Sequence, residues 1–145
     1  MKKNTLLIGG GGFIGSNIAN FLLKERDYNV DIIDNFSRNK NEESFILKSP
    51  KESDRLNIFN ADLTKSENFN VLRNDYDYVF MLAAVVGVDK VNSVPDEVIR
   101  INSSLTLNVL EWLKKTNCKK VVFSSTSETY AGTIEAFGYD VPTNE

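Results

Sequence analysis

The stretch Thr5-Leu6-Leu7-Ile8-Gly9-Gly10-Gly11-Gly12-Phe13-Ile14-Gly15-Ser16 decides the fold. Its first four residues are apolar or β-branched without alternation, the pattern of a short strand buried on both faces. Five of the eight glycines then crowd into residues 9–15. Without a Cβ, such a run permits a sharp turn and close approach by another group. Beyond it, Ile14, Ile18, Phe21 and Leu22 recur at helical spacing and predict an apolar helix face. The segment reads as strand, tight loop, helix.

The alternation continues outward. Val30-Asp31-Ile32-Ile33 predicts a second strand, ended by Asp34-Asn35. The polar residues 37–54 predict a short helix near 42–48, which Pro50 ends. Leu56-Asn57-Ile58-Phe59 predicts a third strand, and residues 78–83, apolar throughout, a fourth. The residues after it, 85–93, read as a loop. Pro95-Asp96-Glu97 opens a long helix over 95–115, with proline at its first position and acids in its first turn. Its apolar face runs Val98, Ile101, Leu105, Val109, Trp112, and Lys114-Lys115 close it. Val121-Val122-Phe123 predicts a fifth strand, and residues 131–145 a loop. Apolar strands separated by helices mean an α/β fold: a doubly wound parallel sheet, Rossmann-like, in the order 3-2-1-4-5.

Composition removes whole classes of chemistry. The 145 residues carry 17 basic and 20 acidic side chains, a net charge of −3, with no histidine and one cysteine, Cys118. A Ser-His-Asp triad, a Cys-His pair, a histidine-ligated metal, a thiolate zinc site and an internal disulfide are all excluded, and no metal is expected. The acidic balance argues against nucleic acid or an anionic membrane as partner. The apolar run at 79–88 falls short of the roughly 20 residues needed to span a bilayer. Lys2-Lys3 before Leu6-Leu7-Ile8 imitates a secretory signal, but the glycine run breaks the helix that a signal needs. A cytoplasmic protein is expected. Length alone predicts one domain.

Gly9, Gly12 and Gly15 stand in G-x-x-G-x-x-G spacing between strand and helix. Such a loop suits a dinucleotide pyrophosphate, which the free N–H groups and positive dipole end of the helix would meet. A plain glycine turn and S-adenosylmethionine remain alternatives on spacing alone. Asp34 then ends the second strand close to the spacing of about 20 residues expected of an acid that accepts ribose hydroxyls. Its charge disfavours the 2′-phosphate of NADP, so NAD is the expected cofactor. Arg38 nearby softens that preference.

With these landmarks the chain resembles the extended short-chain dehydrogenase/reductases, and within them the NAD-dependent nucleotide-sugar epimerase/dehydratase family. The resemblance runs over nearly all of residues 4–132. It implies cofactor contacts from Gly9, Gly12, Phe13, Ile14 and Gly15, and ribose and adenosine contacts from Asp34, Asn35, Ser37 and Arg38. Asp62 and Leu63 match the pair that lies on the adenine ring. Leu82, Ala83 and Ala84 match the motif of strand four, where the family usually has histidine at the place of Met81. Asn102 matches the asparagine of the following helix. Thr126 matches the Ser/Thr that holds the oxygen at the reacting sugar carbon, and a hydroxyl suits it, since it both donates and accepts. Glu128 matches an acidic position of dehydratases and decarboxylases. Ser127 stands where dehydratases carry aspartate, which disfavours dehydration. Without the upstream motifs, residues 124–127 read as a polar strand end. The valines at 85, 86 and 88 either pack on nicotinamide or cover the sheet.

The family's general base is a tyrosine with a lysine four positions on. Here the residues at that distance from Tyr28, Tyr76, Tyr78, Tyr130 and Tyr139 are Ile32, Phe80, Leu82, Ile134 and Thr143. Residues 1–145 are therefore expected to be the NAD-binding portion of a longer protein. It would be cut before its Tyr-x-x-x-Lys helix, incomplete at its C-terminal side, without its substrate domain and inactive alone. The resemblance implies an epimerase that moves hydride at a carbon, usually C4, of a UDP- or dTDP-sugar, and a homodimer through the 95–115 helix. Decarboxylation or dehydration of a nucleotide sugar is the alternative. A non-catalytic NAD-binding or redox-sensing module is the rival from another class, and a methyltransferase is weakened by the later motifs.

Overall fold

The computed structural model describes residues 2–38 and 54–126. Its elements are β1 (Lys3–Ile8), α1 (Phe13–Lys24), β2 (Tyr28–Asp34), β3 (Leu56–Asn60), a 3-10 turn (Ser66–Val71), β4 (Tyr78–Met81), α2 (Val88–Ser93), α3 (Pro95–Leu113) and β5 (Lys120–Phe123). The strands form one parallel sheet in the order β3-β2-β1-β4-β5. The chain moves outward from β1 to β3, then returns to β4 on the other side of β1. The strand order thus reverses between β1 and β4, and their C-terminal ends flank a crevice there.

Each strand feeds two cores because successive side chains alternate faces. On one face Leu7, Val30 and Ile32 pack against Ala19 and Leu22 of α1. On the other, Leu6, Ile8, Ile33, Val79 and Met81 pack against Leu105 and Val109 of α3, with Phe69 and Tyr76. Trp112 lies 5.5 Å from Phe69 and 6.1 Å from Tyr76 between ring centroids, so it closes this second core. Met81, at the position where the family usually has histidine, is a core residue.

Several expectations are corrected. Strand four ends at Met81, so Leu82 and Ala83 lie beyond it. Residues 88–93, expected as loop, form α2, and every one of them is exposed. The buried face of α1 is Gly15, Ser16, Ala19 and Leu22, whereas Ile14 and Phe21 are 62% and 64% exposed. Small residues let α1 lie close to the sheet, and that turns the large ones outward. The predicted apolar face of α3 holds, with Val98, Leu105 and Val109 buried. Its far side exposes Ile99, Leu107 and Leu110. The helix expected near 42–48 and the loop expected at 131–145 lie outside the described residues.

At the N-terminal edge of the sheet the polar groups are tied down. The Tyr76 hydroxyl, wholly buried, donates to Asp31 Oδ2 at 2.7 Å, and Asn57 Nδ2 donates to Asp31 Oδ1 at 2.8 Å. Burial first, and then the Asp31 carboxylate, push the Tyr76 hydroxyl far above the ordinary phenol range. Asp77 accepts from Lys119 Nζ at 2.6 Å and from the Asn4 N–H at 2.8 Å. The Lys119 hydrogen bond, then that of Asn4, holds the Asp77 carboxyl below its usual range.

Candidate functional site

The opposite, C-terminal edge carries a groove at the switch point of the sheet. Its floor is the glycine loop. Gly9 leaves β1 with φ +79°, a left-handed conformation that glycine adopts freely. A Cβ there would lie 2.5 Å from the Ala83 nitrogen. The chain beyond β4 thus passes directly over Gly9, and the Leu82 N–H donates to the Ile8 carbonyl at 2.8 Å. Gly15 meets the loop as closely, its missing Cβ 2.5 Å from Gly10 Cα. Gly12 differs. The nearest atom to a Cβ built there is the Gly9 carbonyl oxygen, at an ordinary 3.6 Å. Gly12 is also the N-cap of α1, with no side-chain cap, so the helix dipole is unmasked there.

Asp34, at the end of β2, forms one wall. Its Oδ2 accepts the Gly11 N–H at 2.9 Å and its Oδ1 the Phe36 N–H at 2.8 Å. The carboxylate therefore ties the glycine loop to the turn after β2, with lone pairs left for a ligand. Phe36 has φ +51°, unusual for a bulky residue. Its ring stands where a Cβ of Gly11 would be, 2.6 Å from that point. The opposite wall is Leu82, Ala83, Ala84 and Val85. Asn102 holds that wall from α3. Its Oδ1 accepts the Val85 N–H at 2.8 Å, and its Nδ2 donates to the Val85 carbonyl at 3.0 Å. At the far end Asp62 accepts from the N–H and hydroxyl of Thr64, and Asn108 donates to the carbonyls of Leu63 and Thr64. This fastens the third wall.

Of the residues singled out in the sequence, Gly9, Gly12, Asp34, Asn35, Ser37, Arg38, Asp62, Leu63, Leu82, Ala83 and Ala84 line one groove. Phe13, Ile14 and Gly15 do not. Phe13 is 86% exposed at the start of α1, and Gly15 packs beneath the loop. Asn102 is not a lining residue either; it braces Val85. Ser124 is the strand-end group of the plain reading, its N–H and hydroxyl both donating to the Met81 carbonyl. Thr126 is exposed beyond β5 and does not line the groove. Ser127 and Glu128 lie outside the described residues. Phe36, Thr64 and Ile101 line the groove and were not foreseen. Phe36 sat unremarked between Asn35 and Ser37, because no sequence pattern marks a left-handed phenylalanine. Among the described residues no cluster of three or more His, Cys, Asp or Glu could hold a metal ion. No helix among them is long and apolar enough to cross a membrane.

This arrangement is matched in proteins already characterised. Residues 5–144 match the NAD dependent epimerase/dehydratase family. The chain is 36% identical over 140 residues to a UDP-N-acetyl-alpha-D-glucosaminuronate decarboxylase of Bacillus cytotoxicus, covering 97% of this chain and 41% of that protein. Among solved structures, the UDP-N-acetylglucosamine 4-epimerase of Methanobrevibacter ruminantium, in complex with UDP-N-acetylmuramic acid, superposes with a TM-score of 0.74 at 37% identity, over 90% of this chain and 40% of that one. The Bordetella bronchiseptica enzyme WbmF, in complex with NAD+, superposes with a TM-score of 0.72 at 29% identity, over 88% and 37%. A Rossmann-like sheet with a glycine loop at its switch point defines the class, and the chain belongs to the NAD dependent epimerase/dehydratase family. It spans about two fifths of the length of such relatives.

Proposed function

We propose that the chain is the cofactor-binding half of an NAD-dependent nucleotide-sugar epimerase acting on a UDP- or dTDP-linked sugar. The observation that carries the cofactor reading is Gly12. At Gly9, Gly10, Gly11 and Gly15 the protein's own atoms lie within 2.8 Å of the missing Cβ, whereas at Gly12 the nearest is 3.6 Å away. Four of these glycines are accounted for by the fold. The fifth keeps clear the space before a helix N-terminus, which suits a pyrophosphate pressed against the backbone.

In this reading the α1 N-terminus holds the phosphates, Asp34 the adenosine ribose, and Asp62 and Leu63 the adenine face. The wall from Leu82 to Val85, braced by Asn102, lies along the nicotinamide half. Bound nicotinamide supplies the acceptance and return of hydride. Thr126 holds the oxygen of the reacting sugar carbon by a hydrogen bond, its hydroxyl accepting from the alcohol or donating to the ketone. Proton abstraction falls to residues outside 1–145. None of the described tyrosines suits it, and the most shielded, Tyr76, is locked to Asp31 at the other edge of the sheet. Residues 1–145 alone are therefore inactive. Decarboxylation is the second reading, favoured by the similarity to the Bacillus cytotoxicus decarboxylase and by Glu128 after Thr126. The exposed Ile99, Leu107 and Leu110 of α3 support pairing with a second copy, and the single cysteine suits the cytoplasm.

Calorimetric titration tests the cofactor. NAD+ binds the wild-type protein, and Gly12→Ala weakens it by about 100-fold, the cost of a methyl group forced between backbone and phosphate, with the fold intact. Absence of NAD+ binding, or binding of S-adenosylmethionine instead, overturns the reading. Turnover of UDP- and dTDP-sugars by the full-length protein, with the product identified, separates epimerase from decarboxylase.

A further inference from the structure

Arg38 stands out once the walls are in place. Its Nη2 donates to the Val86 carbonyl at 3.2 Å, joining the turn after β2 to the segment after β4. The first forms one wall of the groove, and Val86 directly follows the opposite wall, which ends at Val85. Ser37 and Arg38 also line a second, shallower cleft on the outer side of Val86 that runs to Lys90. Arg38 thus lines both the groove and the cleft, and its hydrogen bond links the turn after β2 to Val86 where the two meet. The residue it grips is well placed to be held. Val85 before it is fixed on both backbone groups by Asn102, and Gly87 after it has φ +123° with no atom within 4 Å of a Cβ position. The post-β4 segment is therefore anchored at Val85 and Val86, and it enters α2 at Gly87, whose carbonyl accepts the Val91 N–H at 3.0 Å.

We propose that Arg38 is a positioning residue that bridges the groove above the bound dinucleotide and slows its release, rather than a residue that admits the 2′-phosphate of NADP. Three features favour the bridge. The guanidinium is engaged with the carbonyl of Val86, next to the far wall. A planar, permanently charged fork holds such a carbonyl without being neutralised at any working pH. Arg38 also lines both groove and cleft, so a molecule that leaves the groove toward the cleft passes this bond. The inference rests on the dinucleotide reading of the groove.

The test measures release. The full-length protein is loaded with NADH and mixed with excess NAD+, and the loss of bound-NADH fluorescence gives the rate for wild type, Arg38→Ala and Arg38→Lys. Arg38→Ala releases NADH about three- to tenfold faster, the weight of one hydrogen bond. Arg38→Lys, shorter and without the fork, is also faster than wild type. The ratio of NAD+ to NADP+ affinity stays unchanged in both. Because Arg38 is exposed, circular dichroism of the variants matches wild type. Release at the wild-type rate from Arg38→Ala overturns the bridge. So does full retention by Arg38→Lys, which would assign the effect to charge alone, or a selective loss of NADP+ binding, which would assign Arg38 to cofactor choice. If the wild-type protein takes up no NADH at all, the dinucleotide reading itself falls, a result distinct from these.

Discussion

Asp31 and Asp34 lie three residues apart on β2 and so point to opposite faces of the sheet, Asp31 at the middle of the strand and Asp34 at its C-terminal end. Asp31 is 6% exposed and is closed in by side chains, the Tyr76 hydroxyl and the Asn57 amide. Asp34 is engaged by backbone, the Gly11 and Phe36 N–H groups, and faces a groove. A carboxylate satisfied by side chains in the buried middle of a strand acts as a fixed internal strut. One satisfied by loop backbone at the C-terminal edge shapes a site and retains capacity for a ligand. Residue type does not distinguish them; the place along the strand and the kind of partner do.

This contrast can be broken by substitution. The largest effect is expected at the C-terminal edge, where shape is made by backbone. Gly9→Ala places a methyl against Ala83 and forces alanine to a left-handed φ, and is expected to destabilise by about 3–4 kcal/mol in denaturant unfolding. Asp31→Ala leaves the buried Tyr76 hydroxyl without its acceptor and is expected to cost about 2–3 kcal/mol, with NAD+ affinity of the folded protein unchanged. Asp34→Ala reverses the pattern: about 1 kcal/mol in stability, since water reaches the freed N–H groups, but about a tenfold loss of NAD+ affinity by calorimetry. Equal stability losses in the two aspartate variants, with affinity untouched in both, would abolish the distinction.

The smallest effect is at the Asp77–Lys119 pair. The Lys119 side chain is 75% exposed, so the pair is screened by solvent and salt. The folded Asp77 carboxyl is lowered by its Lys119 hydrogen bond, so its contribution is present above the ordinary aspartate value of 3.8 and is lost as pH falls through the lowered one. Lys119 is raised by the same bond, so its contribution is present below 10.5 and is lost as pH rises through the raised value. Lys119→Met is expected to lower the melting temperature slightly at neutral pH. That difference should vanish in acid below the Asp77 value, in alkali above the Lys119 value, and in high salt.

The sheet was legible because its strands are apolar on both faces, a pattern that survives without knowledge of partners. The order β3-β2-β1-β4-β5 followed from the crossover rules. Helix α2 was not legible, since all six of its residues are exposed and no buried stripe marks it. The outward turn of Ile14 and Phe21 was missed because periodicity names a face but not how close the helix comes; Gly15, Ser16 and Ala19 decide that. At the site, the acid and the glycines were legible from spacing. The left-handed Phe36 was not, because its conformation comes from the Asp34 carboxylate and from the glycine beneath its ring. Asn102 was noticed, but its hold on Val85 was not, a long-range pairing that a linear pattern does not carry.

The Asp34 bonds to Gly11 and Phe36 also bear on the thermodynamics of recognition. Holding a residue in one backbone well costs roughly 1–2 kcal/mol of conformational entropy. A glycine-rich loop left free would charge that cost to whatever bound it. Here a single side chain pins the loop and its neighbour within the folded chain, so the ordering is completed during folding. Binding then starts from a preorganised surface, and the contacts a ligand makes go more fully into its affinity.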